Sequence, residues 1–162
     1  MNIETIGYRT GDATDPQGAG PKVIVHVCND IGGWGRGFVL AISARWPEPE
    51  SAYRAWHAEG EAGGLRLGEV RFVEVEPGLW VANLIGQHDV KTVDGVPPVR
   101  YDAIRTGFQK LARFAKESNA SVHMPRLGCG LAGGEWAQVE RLIGDELVAR
   151  GVSVTVYDLP EH

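Results

Sequence analysis

His26-Val27-Cys28-Asn29-Asp30-Ile31-Gly32-Gly33-Trp34-Gly35-Arg36-Gly37 carries an apolar strand into a glycine-rich loop. Met124-Pro125-Arg126-Leu127-Gly128-Cys129-Gly130-Leu131-Ala132-Gly133-Gly134 repeats that arrangement later in the chain. Each loop opens an amphipathic helix. Glycine lets backbone N–H groups converge on an anion, and the helix N-terminus adds the positive end of its dipole. One such loop is common. Two in a chain of this size point to a diphosphate held between them.

Working outward, Lys22 to Cys28 is a short, nearly continuous apolar run, the pattern of a strand buried on both faces. Phe38, Ile42 and Trp46 mark a helix that Pro47 ends, and Glu50 to Glu59 forms a second, with Tyr53 and Trp56 inward. Glu69 to Glu76 alternates polar and apolar residues, and Pro77-Gly78 turns it into the strand Leu79 to Gly86. Gln87 to Val96, with Asp94-Gly95, reads as a loop. Pro98 starts a helix with an apolar stripe through Tyr101, Ile104, Phe108 and Leu111. Ala120 to Met124 is a strand, Trp136 to Leu147 a helix closed by Gly151, and Val152 to Tyr157 the last strand. With a first strand over Ile3 to Thr10, the order is β-β-α-α-β-β-α-β-α-β. That predicts an α/β fold of three α/β/α layers around a mixed sheet of about six strands, with ligands at the strands' carboxyl ends. No repeat or linker divides residues 1–162, so a single domain is expected.

Composition narrows the function. Hydrophobic residues make up 43% and charged residues 23% of 162, as in an ordinary globular domain. The net charge of −5 argues against sequence-specific or phosphate-driven grip on long nucleic acid. No apolar run reaches the roughly 18 residues of a membrane span, and the first residues lack a signal-peptide pattern. A cytoplasmic protein with no membrane partner is expected, and the lack of a long apolar surface stripe points to a monomer. Cys28 and Cys129 are too few for a disulfide framework. His26, Cys28, His123 and Cys129 lie near the functional edge, but their spacing fits no metal motif. No metal and no cofactor are expected.

Read from the residues, Asp12 in Gly11-Asp12-Ala13-Thr14 is either a turn aspartate bonded to its own backbone or a ligand residue. His26 in a buried strand is either a satisfied core residue or a catalytic group. Strand alternation sends His26 and Asn29 to opposite faces. Trp34, set between glycines, is expected as a lid over a ligand, while Phe38 shares the helix stripe and has a claim to the core. His88 and Asp89 either reach the site or face solvent.

The paired loops resemble those of the macrodomain family, which binds ADP-ribose, and the resemblance extends over nearly the whole chain. His-x-Cys-Asn followed by Gly-x-Trp-Gly-x-Gly is similar to the branch with yeast-type ADP-ribose-1″-phosphate phosphatases. Met-Pro-Arg-Leu-Gly-Cys-Gly-Leu resembles the terminal ADP-ribose glycohydrolases and the antitoxin that removes ADP-ribose from thymidine in DNA. The resemblance implies that Asp12, with Ala13, meets the adenine and that Asn29 bonds the distal ribose. It implies a diphosphate clamp of Gly33, Trp34, Gly35 and Arg36 on one side, with Gly37 and Phe38 also among the residues that bind ADP-ribose. Leu127, Gly128, Cys129, Gly130, Leu131, Ala132 and Gly133 would close the other. The catalytic candidates are Asn29, His26 and Gln87.

One departure stands out. The glycohydrolase branch has a catalytic aspartate where this chain has Ala132, and its catalytic lysine matches Gln87 best. The resemblance still implies an ADP-ribosyl hydrolase acting at the distal C1″ of ADP-ribose, carried on a protein carboxylate or a DNA thymidine base. An ADP-ribose-1″-phosphate phosphatase using His26 and a non-catalytic ADP-ribose reader are the alternatives. An unrelated nucleotide-binding α/β protein is also open, though no Walker-type Gly-Lys-Ser/Thr is present.

Overall fold

Alternate side chains of one central strand feed two separate cores. In the computed structural model, which describes residues 5–130 and 132–160, that strand is β2 (Lys22–Asn29). Val23 and Val25 point to one side, against Ile104, Phe108 and Leu111 of α3 (Tyr101–Ser118) and Val139 and Ile143 of α4 (Trp136–Glu146). Ile24 and Cys28 point to the other, against Ile42 of α1 (Phe38–Arg45) and Tyr53 and Trp56 of α2 (Glu48–Ala58). The period of two along a strand thus makes three layers. Each large apolar side chain so buried contributes about 1.5–3 kcal/mol before chain entropy is counted.

The sheet runs β1 (Gly7–Thr10), β6 (Val154–Asp158), β5 (Ser121–Met124), β2, β4 (Leu79–Gln87), β3 (Val70–Glu76). Every pairing is parallel except the β3–β4 hairpin, so the sheet is mixed as expected. The carboxyl ends of β1, β6, β5, β2 and β4 therefore share one edge. Glycine also fixes how close the layers lie. A Cβ on Gly107 of α3 would stand 2.5 Å from Leu84, so its absence lets α3 rest directly on β4.

Several boundaries differ from the sequence reading, each because a backbone group is used elsewhere. α3 begins at Tyr101, not Pro98. Val99 N–H donates to Ala132 O, Arg100 N–H donates to Gly86 O, and Gln87 bridges to Val99. The segment is thereby held extended alongside the end of β4. β6 begins at Val154, since Val152 N–H donates to Leu147 O at the end of the preceding turn. β1 begins at Gly7, with Thr5 and Ile6 outside it, and the expected start at Ile3 lies outside the described residues. The 88–97 stretch is more ordered than a plain loop. Val93 and Val96 exchange backbone hydrogen bonds around Asp94 (φ 50°) and Gly95 (φ 76°). Among the described residues no helix is long and apolar enough to cross a membrane.

Candidate functional site

The site begins with an irregularity at the end of β2. Cys28 pairs with Ile85, but Asn29 pairs with Gln87, so Gly86 is skipped. At this irregular end of the strand the expectation that His26 and Asn29 face opposite ways fails. His26 packs edge-on against Trp34, and the Asn29 side chain meets Tyr53, both on the α1/α2 side of the sheet.

Asn29 organises the first loop. Its Oδ1 accepts from Ile31 N–H (3.1 Å) and Gly33 N–H (2.9 Å), and its Nδ2 donates to Gly33 O (2.8 Å). The Tyr53 hydroxyl accepts from Gly32 N–H (3.0 Å) and donates toward Asn29 O (2.6 Å) and Oδ1 (2.8 Å). Burial raises the Tyr53 phenol well above its usual range, so it stays a donor. The loop is fixed in shape before any ligand arrives. Asn29 lines the cleft where the distal ribose was expected, and its side chain also braces the loop: two of its four hydrogen bonds go to Gly33, the others to Ile31 and Tyr53.

Trp34 is corrected outright. The residue is 3% exposed, its ring centroid lies 5.4 Å from those of His26 and Tyr53, and its Nε1 donates to Ser43 Oγ. It is a core side chain under the loop, not a lid over it. Phe38 does the reverse of a pure core residue, packing on that same cluster while lining the cleft.

The second loop closes on itself. Gly134 N–H donates to Gly128 O (2.7 Å) and Gly133 N–H to Gly130 O (3.1 Å). Gly128 (φ 77°) and Gly133 (φ 76°) hold left-handed conformations that other residues adopt only with strain. Cys129 turns its thiol toward Leu127 O (3.5 Å), and burial raises its pKa.

Between the loops lies a cleft with two joined lobes. The lobe of about 270 Å³ runs from His26 and Phe38 to Arg126, Gly128 and Ala132. The lobe of about 360 Å³ runs from Cys28, Asn29 and Gly33 to Val90. Arg36 and Gln87 border both lobes, as do Val27 and Val39. The cleft thus gathers His26, Asn29, Gly33, Gly35, Arg36, Gly37, Phe38, Gln87, Leu127, Gly128, Gly130 and Ala132. Trp34, Cys129, Gly133, Asp12 and Ala13 do not line it, and Leu131 lies outside the described residues.

Asp12 adopts the turn conformation. Its Oδ1 accepts from both the backbone N–H and the hydroxyl of Thr14, which in turn accepts from Arg45 Nε. Ala13 is buried beside it. His88 Nδ1 donates to Asp30 Oδ2 (2.7 Å), and Asp30 Oδ1 also takes Asp89 N–H (2.8 Å). These contacts tie the 88–97 hairpin to the first loop. Missed by sequence reasoning were Val27, Val39, Val90, Pro125 and Arg126. Arg126 had one signal available, a charge placed right after an apolar strand.

The buried titratable groups of the wall are neutral. His26 is 1% exposed and donates through Nε2 to Asn83 Oδ1 (2.6 Å), an oxygen oriented by the Asn83 Nδ2 bond to Pro49 O. Its Nδ1 has no partner, and burial lowers its pKa to about 4. Burial pushes the Cys28 thiol far up, so it is no nucleophile. Among the described residues no carboxylate borders either lobe, and no group of three or more His, Cys, Asp or Glu is placed to hold a metal ion. Among the described lining residues, Arg36 and Arg126 carry the charge.

No protein-family model matches the chain. A macrodomain protein of Streptomyces coelicolor is 58% identical over 94% of this chain and 98% of its own, with a TM-score of 0.85. A protein of unknown function from Bacteroides thetaiotaomicron is 54% identical over 98% of this chain and 100% of its own, with a TM-score of 0.95. With the six-stranded sheet and the paired loops, these likenesses establish the class: the chain belongs to the macrodomain family. Among curated proteins, chromodomain-helicase-DNA-binding protein 1-like of Mus musculus is 33% identical over 99% of this chain. The chain spans only 18% of that relative's length. At 20% identity, Thermosipho africanus DarTG, solved in complex with ADP-ribose, shares the fold over 86% of this chain and 38% of its own (TM-score 0.69).

Proposed function

We propose that the cleft binds ADP-ribose and that the protein hydrolyses an ADP-ribosyl bond at the distal C1″, releasing ADP-ribose from a modified macromolecule. The observation that carries this reading is the first loop, locked by Asn29 and Tyr53, facing the ring-closed second loop across one cleft. Such a pair of preorganised backbone surfaces suits a diphosphate, and Arg36 supplies charge beside it. The ADP-ribose complex of the similarly folded DarTG supports the same ligand.

In this reading the distal ribose lies in the lobe of Asn29, Gly33 and Gly35, with Gln87 at its border. Water adds its hydroxyl to C1″, the bond from C1″ to the acceptor breaks, and the water's proton goes to the leaving group. The transition state is oxocarbenium-like, so orientation and fixed dipoles matter more than a strong acid. Gln87, whose Nε2 donates to Asp89 O (3.0 Å), orients the water through its carboxamide. His26 is a neutral wall in this scheme, because its Nε2–H is committed to Asn83. The acceptor is a protein carboxylate or a DNA thymidine base.

A second reading has its own support. A cleft bordered by Ala132 and Gln87, with no carboxylate among its described lining, also suits a reader that holds ADP-ribose without turnover. The test is release of ADP-ribose from carboxylate-linked protein and thymidine-linked DNA, with ADP-ribose-1″-phosphate alongside. Release from a macromolecule supports the hydrolase. Phosphate release alone makes it a phosphatase, and binding without any release makes it a reader.

A further inference from the structure

Arg126 leaves the carboxyl end of β5 on the side of β2 away from β4, toward β6 and β1. It forms part of the cleft wall. Its Nε and Nη2 donate to the two carboxylate oxygens of Asp158 at the end of β6 (2.7 and 3.0 Å). Its guanidinium carbon lies 5.4 Å over the Tyr8 ring from β1 and 5.1 Å over the Trp136 ring from α4. Those rings meet edge-on, Trp136 Nε1 donates to the Tyr8 hydroxyl (3.1 Å), and the Tyr8 hydroxyl donates to Glu140. Parts of β1, β6 and α4 thus fix one guanidinium at the cleft. An exposed ion pair contributes little stability by itself. Its consequence is that the planar cation loses almost no further freedom when a ligand arrives.

We propose that Arg126 is the base-recognition residue of the cleft, its guanidinium, held by Asp158 and flanked by Tyr8 and Trp136, stacking on the purine of the bound nucleotide. This rests on the ADP-ribose reading above and adds the side chain that recognises the base. The base lies toward β6 and β1, and the distal ribose toward Asn29 and Gln87. A delocalised, weakly hydrated guanidinium stacks on an aromatic face, whereas a lysine ammonium acts as a point charge. The same cation set against the diphosphate would tolerate lysine. That difference separates the two roles.

The experiment compares affinities for ADP-ribose and for its abasic analogue, the same ribosyl diphosphate ribose without adenine. Wild type is measured beside Arg126→Lys, Arg126→Met and Asp158→Asn, with melting temperatures recorded. Both Arg126 variants are expected to lose roughly tenfold or more for ADP-ribose, with little change for the abasic ligand. Asp158→Asn, which keeps the guanidinium but loosens it, is expected to show a smaller loss with the same ligand preference. Equal losses for both ligands, or full affinity in Arg126→Lys, would overturn base stacking in favour of a phosphate contact. Unchanged affinity in every variant would overturn any contact. A wild type that binds both ligands equally sinks this proposal alone, while one that binds neither sinks the ADP-ribose reading and this proposal with it.

Discussion

Asn29 and Gly33 bind each other twice: the carboxamide oxygen takes Gly33 N–H at 2.9 Å, and the carboxamide nitrogen gives to Gly33 O at 2.8 Å. A residue expected to hold substrate is therefore first a brace for the loop that holds it. Asn29→Ala removes both bonds and leaves the Tyr53 hydroxyl without one acceptor. Losing buried hydrogen bonds of this kind costs about 1–3 kcal/mol. Urea denaturation should show that loss, and ADP-ribose affinity should fall with it, so the variant alone does not isolate a ribose contact.

Tyr53→Phe separates the brace from the substrate. The ring stays in the core, while the hydroxyl that joins Gly32 N–H to Asn29 is removed. Stability should drop by about 1–2 kcal/mol, and ADP-ribose should bind more weakly although Tyr53 does not line the cleft. Calorimetric titration beside a denaturation curve checks both, and undiminished affinity would show that loop shape is not set this way.

Two glycines of the second loop should respond differently to glutamate. A side chain at Gly130 meets no atom within 4 Å, whereas Gly128 holds φ 77° with Ile104 and Val99 at 3.4 Å. Gly130→Glu should keep the wild-type melting temperature and block ligand binding by bulk and negative charge. Gly128→Glu should block binding and also melt lower. Equal melting temperatures for the two would contradict the loop geometry.

Acid should destabilise the protein through two histidines. Burial lowers both His26 and His123 to about 4, so both are neutral in the fold at neutral pH. The unfolded chain binds protons on them below about 6.5. Stability is therefore complete above that value and falls as pH drops toward 4, by on the order of 3 kcal/mol per histidine. His26→Gln keeps a donor near Asn83 but cannot titrate, so its stability should fall less steeply across that window. Chemical denaturation from pH 7 to 4 measures the slope.

Gly107→Ala tests the layer spacing. The added methyl would press on Leu84 at 2.5 Å, and overpacking of this kind costs about 1–3 kcal/mol. A variant as stable as wild type would mean α3 has room to lift from β4.

The layers and loops were legible because local pattern and tertiary role agree there. Val23 to Cys28 alternate between two cores that the alternation alone predicts, and the glycine loops lie at strand ends as expected. What was not legible depends on partners far along the chain. Trp34 looks like a lid because glycines flank it, but His26 and Tyr53 draw its ring inward. The parity of His26 and Asn29 fails at the last residue of β2, where the pairing with β4 shifts past Gly86 and Tyr53 takes the Asn29 side chain. Arg126 gains its setting from Tyr8, Trp136 and Asp158, and nothing near it in sequence announces them.

The most direct measurement is calorimetric titration of ADP-ribose into wild type and into Gly35→Glu. A side chain at Gly35 meets nothing within 4 Å, yet it stands at the lobe beside Asn29 and Gly33. The account predicts saturable one-to-one binding to wild type, abolished in a variant whose melting temperature is unchanged. No binding to wild type, or equal binding to both proteins, would contradict it.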